Sequence, residues 1–192
     1  MSESLIAPSS RARFVVTLPP DPSEVGAQLE SVAADSFLSL TNTKDAFLHL
    51  ARRAKERLVI LTPYIDEVGA AWAADLFEST TAPNRTLILR GTHQLRLCGT
   101  HGTRTLSALS HLLDYELRTD QGVETFHAKV VLADGVAAYV GSANFLYRSR
   151  EKNLECGFLL EGDAVAPVAL LVDALLGMPA LHSQRARGLI DK

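Results

Sequence analysis

Residues 126–144 read FHAKVVLADGVAAYVGSAN, two apolar runs joined by Asp134 and Gly135. The first run alternates as a half-buried strand does. It sets His127, Lys129 and Val131 on one face and Ala128, Val130 and Leu132 on the other. Asp-Gly between two such runs is the strongest short-range hairpin signal. With these two residues as the turn, Ala133 pairs with Val136, and His127 falls opposite Ser142. Asn144 follows on the same face as Ser142. An imidazole, an ammonium, a hydroxyl and a carboxamide therefore converge at the open end of one hairpin.

Outward from the hairpin, strand and helix signals alternate. RLVILTPY (57–64) reads as a buried strand ending at a proline, with a helix over 67–80. RTLILR (85–90) is the next strand. A Gly/Thr/His-rich connection leads to a helix around 104–113, then a strand over 114–119. After the hairpin, CGFLLEG (156–162) gives a strand and 163–177 a closing helix. Upstream, 23–40 and 44–56 carry helical spacing, with Thr43 as the N-cap of the second helix. This order predicts an α/β fold, a mixed sheet with helices on both faces. The expected organisation is a flexible arm over 1–22, within which 14–18 could add an edge strand. Helices over 23–56, a catalytic domain over 57–180 and a tail over 181–192 follow.

The chain has 192 residues, 47% of them hydrophobic and 21% charged, enough for one substantial core. Its longest apolar stretch, 164–178, is short and interrupted by Pro167 and Asp173, which argues against a membrane span. The N-terminus has no basic start or continuous apolar run, and two cysteines suit a reducing compartment. The expected location is the cytoplasm. Net charge is −3, but residues 85–153 carry +3, leaving −6 elsewhere. The positive balance lies around the hairpin, where an anionic ligand would need it.

The residue types at the hairpin's end suit a phosphate. A lysine with serine and asparagine donors can hold non-bridging oxygens as phosphorus becomes five-coordinate. An imidazole can attack phosphorus and split the displacement into two steps. HAKVVLAD fits H-x-K-x4-D, GSAN follows, and NLECG supplies Glu155. In these motifs the chain resembles the phospholipase D superfamily. The resemblance implies a PLD-like fold with one such hairpin per chain. It implies His127 as nucleophile, Lys129 and Asn144 as phosphate ligands, Ser142 as a supporting donor, and Glu155 as the group that holds the histidine. Asp134 is the motif's third letter, and its place at the turn reads as structural.

The second proton-transfer group that hydrolysis needs has no second motif to come from, because His49, His93, His101, His111 and His182 all lack the following x-Lys. Single-motif members of the superfamily resolve this by pairing two chains, which implies a homodimer with a composite active site. Arg148 and Arg150 follow GSANF and either track a nucleic-acid backbone beyond the scissile phosphate or form a solvated loop. His93, Cys98 and His101 have poor metal-ligand spacing, and no metal or other cofactor is expected. Trp72 and Cys156 read as core residues.

The reading that follows is a metal-independent nuclease, with DNA favoured over RNA. The alternatives are a phospholipase or phosphatidyl transferase, and a phosphate-binding assembly subunit with little turnover. LVILTPYID, the hairpin and NLECGFLLEGD are also similar to the PLD-like protein of bacterial DISARM anti-phage systems. That similarity implies a bacterial defence role with partner proteins.

Overall fold

The computed structural model describes residues 10–37 and 41–184. The expected arm over 1–9, the end of the first helix at 38–40 and the tail beyond 184 lie outside the described residues. In chain order the first elements are β1 Arg11–Thr17, α1 Glu24–Phe37, α2 Thr43–Arg53, β2 Arg57–Thr62, α3 Glu67–Glu78 and β3 Asn84–Leu89. Next come α4 Gly99–Leu109, β4 His111–Asp114, β5 Leu117–Thr119 and β6 Gly122–Glu124. The hairpin is β7 Val130–Ala133 and β8 Ala137–Gly141, followed by α5 Tyr147–Glu151, β9 Glu155–Glu161, α6 Ala166–Leu176 and α7 Pro179–Gln184.

Seven strands form one sheet in the order β1-β9-β8-β7-β2-β3-β4. β2, β3 and β4 are parallel, and β7, β8, β9 and β1 each run antiparallel to the preceding neighbour. The mixed α/β sheet expected from the sequence is the observed fold. Strand β2 is buried on both faces, as an unbroken apolar run requires. One core packs α2, α3 and α4 on the sheet through residues such as Phe47, Leu50, Phe77 and Leu106. Phe47 stacks on both Trp72 and Phe145, with ring centroids 4.9 and 5.4 Å apart. The other core lies beneath α6 and α7, where Val172, Leu175 and Leu181 cover Val59, Leu61 and Leu132. Among the described residues no helix is long and apolar enough to cross a membrane.

Four local expectations are corrected. The hairpin pairs Ala133 with Ala137, not Val136, so its loop has three residues. Asp134 is the cause. It adopts φ 60°, a conformation Asp tolerates, and turns its carboxylate back onto the backbone N–H groups of Lys55, Glu56 and Arg57 at 2.9–3.0 Å. Val136 becomes an exposed extra residue, and Lys129 rather than Ala128 faces Gly141, whose N–H donates to the Lys129 carbonyl at 3.2 Å.

The strand expected over 114–119 is divided: Leu117–Thr119 form β5, paired with β6 outside the large sheet, and the strand of the large sheet is His111–Asp114, because the Gly/Thr-rich connection is itself α4. Burial of Leu106 outweighs the weak helix propensity of GTHGTRT. The cap of α2 is Asn42, which accepts from the Asp45 N–H, since the Thr43 hydroxyl is engaged by Thr17 at 2.7 Å. The edge strand expected over 14–18 is present and longer, residues 11–17 pairing with β9 along their whole length, so this part of the expected arm is ordered in the sheet.

Candidate active site

The candidate site lies where the carboxyl ends of the parallel strands meet the open end of the hairpin. Open α/β sheets bind ligands at this edge. Leu61 pairs with Val130, so the chain leaving β2 and the chain entering β7 run side by side there. Residues 125–129 lead into β7 without strand pairing of their own. His127 is exposed at this entrance, and Lys129, two residues on, is only 7% exposed.

The Lys129 ammonium lies 2.9 Å from Nδ1 and 3.2 Å from Nε2 of the imidazole and donates to the His127 carbonyl at 2.8 Å. A neutral imidazole offers one acceptor nitrogen, so the ammonium bonds whichever nitrogen lacks the proton. Burial pushes the Lys129 pKa down from the ordinary lysine range, and the nearby Glu155 charge offsets part of that shift.

Glu155 opens β9 and is itself buried. Its carboxylate accepts a short hydrogen bond from the Ser142 hydroxyl and one from the Asn153 amide at 3.5 Å. Ser142 in turn accepts from the Cys156 N–H at 3.1 Å, and its own N–H donates to the Cys156 carbonyl at 2.9 Å. The carboxylate thus bears on the surroundings of His127 through its charge, which acts on Lys129. The direct hold on His127 implied by the resemblance is not among its contacts with described residues.

Asn144 follows at the exit of β8. Its N–H donates to Ser149 Oγ at 3.3 Å, and its side-chain Oδ1 is buried without a partner among the described residues. A buried unpaired carbonyl oxygen costs about 1–3 kcal/mol, and folds keep such groups mainly at functional positions.

The remaining expected residues separate. Asp134 sits at the far end of the hairpin. Burial opposes its ionisation, and the N–H groups of Arg57, Glu56 and Lys55 with the Arg57 charge outweigh that, holding its carboxyl below the usual range. It is an anchor for the hairpin and takes no part in the site. Arg148 is exposed on α5. Arg150 turns inward, its guanidinium 5.7 Å from the Trp72 ring centroid and 3.3 Å from the Glu151 carboxylate. It packs α5 onto α3 and is half-buried there. Cys156 is exposed rather than in the core, because β9 alternates and Glu155 takes the buried face. Cys98 is buried, which pushes its thiol up to about 11.

Of two residues that the sequence reading passed over, Tyr64 stands beside the histidine and Arg90 stands beside Tyr64. The Tyr64 ring meets the imidazole edge-on, with centroids 5.9 Å apart, and Arg90 Nη1 donates to the Tyr64 hydroxyl at 3.1 Å. Their signal was positional. Each comes within two residues of the end of an apolar parallel strand, β2 or β3, where side chains face the crevice.

Residues 47–170 match the family described as "Cardiolipin synthase, PLD-like domain", and they carry the whole hairpin, Glu155 and both flanking strands. The chain belongs to this phospholipase D-like family. It is a phosphodiesterase of the PLD superfamily at that level of description. No curated protein matches the chain. Among solved structures, the PLD-like fold is shared with NucT from Helicobacter pylori at 13% identity and a TM-score of 0.54, covering 88% of this chain and 96% of that one. It is shared with Nuc, a phospholipase D family member from Salmonella typhimurium, at 12% identity and 0.51, covering 84% and 90%. Phosphatidylserine synthase from Haemophilus influenzae Rd KW20 matches at 16% identity and 0.50 over 95% of this chain and 40% of its own length.

Proposed function

We propose that this PLD-like protein is a metal-independent nuclease that works through a phosphohistidine intermediate. The observation that carries the chemistry is the Lys129 ammonium held against both the ring nitrogens and the carbonyl of an exposed His127. In the first step the Lys129 ammonium turns from the imidazole to the non-bridging oxygens, the freed unprotonated His127 nitrogen attacks phosphorus, the P–O bond to the leaving alkoxide breaks, and that alkoxide takes a proton. In the second, water gives up a proton and attacks the same phosphorus, breaking the P–N bond and releasing a phosphate monoester. Lys129 and Asn144 bind the non-bridging oxygens as charge builds on them. Ser142 and Asn153 hold Glu155, whose charge offsets the burial of Lys129.

The proton donor and acceptor is His127 of a second copy, placed by a two-fold axis that sets two hairpins face to face. A nucleic-acid substrate is supported by the end-to-end likeness to NucT and Nuc, and the order DNA before RNA rests on the sequence reading alone. The phosphatidylserine synthase match spans less than half of that longer chain. A lipid diester is the second reading, favoured by the family's description and by the exposed Phe14–Phe158 pair on β1 and β9. A bacterial cytoplasmic setting and anti-phage partners belong to the same proposal and rest on the sequence similarity alone.

The test incubates wild type and His127→Ala with single-stranded DNA, duplex DNA, RNA and phosphatidyl vesicles, all in EDTA. Wild type is expected to cleave nucleic acid, and His127→Ala to lose at least about a thousandfold in rate. Vesicle turnover without nucleic-acid cleavage would transfer the site to the lipid reading.

A further inference from the structure

The pair Tyr64 and Arg90 has no role in the two-step chemistry, yet it is built into the site edge with care. Gln94, 9% exposed, donates from one Nε2 to the Pro63 carbonyl at 2.8 Å and to the Arg90 carbonyl at 2.5 Å. One buried amide therefore ties the residue before Tyr64 to Arg90 itself. The Asp114 carboxylate, at the end of β4, fixes the next two residues by accepting from the N–H groups of Gly91 at 3.0 Å and Thr92 at 2.8 Å, and from the Thr92 hydroxyl at 3.0 Å. Three consecutive parallel strands thus fix the backbone on either side of one guanidinium.

The contact of Arg90 with Tyr64 is to a neutral hydroxyl and occupies one of five N–H donors. Tyr64 is the shared neighbour of the guanidinium carbon, 6.0 Å from its ring centroid, and of the imidazole, whose centroid is 5.9 Å away. The Arg90 side chain contacts Tyr64 and, among the described residues, neither His127 nor Lys129. It is therefore set to meet a second anionic group along an extended ligand, with the exposed Tyr64 beside both.

We propose that Tyr64 and Arg90 form a subsite for the nucleotide next to the scissile bond, Arg90 binding the neighbouring phosphate and Tyr64 contacting the intervening sugar or base. This assignment rests on the nuclease reading and deepens it. A guanidinium fork suits a phosphate's paired oxygens, and an aromatic face accepts any base.

The experiment measures kcat/KM in EDTA on thymidine and uridine oligomers of increasing length, from a dinucleotide with a single phosphate upward. Wild type is expected to gain about tenfold when the neighbouring phosphate is added, the worth of one charge-assisted contact. Arg90→Ala is expected to lose that gain and to make the slope of log KM against log salt shallower by about one. Arg90→Lys is expected to recover the slope, and Tyr64→Phe to lose part of the gain. A full gain in Arg90→Ala overturns the subsite, as does an equal loss on dinucleotide and longer oligomer. Failure of Arg90→Lys to recover the slope also overturns it. If wild type cleaves no oligomer at all, the nuclease reading falls and the subsite falls with it, an outcome distinct from the other three.

Discussion

At the scale of the residue, Lys129 is where burial and function pull on the same group. Desolvation disfavours its charged form, and Glu155 restores part of the balance. An ammonium is needed to hold phosphate oxygens, so a lowered pKa moves the alkaline limit of activity below the ordinary lysine range. The kcat/KM profile of wild type is expected to fall there. In Lys129→Arg, whose guanidinium stays charged, the limb should move up even though the rate drops. An unmoved limb would assign it to another group. The linkage to stability has the opposite direction from an ion pair's. A lysine with a depressed folded pKa binds its proton more weakly in the fold than in the unfolded chain. It therefore costs stability at neutral pH, and the cost shrinks as pH rises from the folded pKa toward the unfolded one.

At the scale of the element, the loop that carries Asn144 is secured by the start of α3. Asp66 caps that helix by accepting from the Gly69 N–H at 2.8 Å, and its other oxygen accepts from the Tyr147 N–H at 2.8 Å. Its own N–H donates to the Phe145 carbonyl at 3.2 Å. The helix comes so close that a Cβ on Gly69 would lie 1.6 Å from the Phe145 carbonyl oxygen. Gly69→Ala must therefore push Phe145, and with it Asn144, away from the site. The expected loss is about 3 kcal/mol, seen as a lower denaturation midpoint, together with reduced activity in the fraction that stays folded.

None of this was legible beforehand, since GSANF and IDEVG are far apart in sequence and nothing local marks their contact. What was legible is the hairpin, through period-2 alternation around Asp-Gly, and the order of strands and helices around it. The register was missed because Asp134 turned out to bind the distant 55–57 backbone, a tertiary bond with no local signal. The site set was readable where a motif lies on one hairpin. Tyr64 and Arg90 escaped because their association depends on which strands become neighbours.

At the scale of the whole molecule, one H-x-K histidine per chain makes the proposed mechanism a property of two chains. Mixing wild type with His127→Ala, after unfolding and refolding together, should lower activity as the square of the wild-type fraction. A linear decline would mean that each chain works alone, and the composite site would then be wrong.

The topology also dates the birth of the site. β1 precedes the other described strands in the chain, but its partner β9 runs from Glu155 to Glu161, so Arg11 waits for Glu161 before the edge can close. Contacts of such long sequence separation form late and slowly. Glu155, the group that tempers Lys129, arrives on that same final strand. A growing chain therefore exposes His127 well before its electrostatic surroundings are complete. On this timetable the Lys129 ammonium gains its compensating charge only when the last strand of the large sheet is in place.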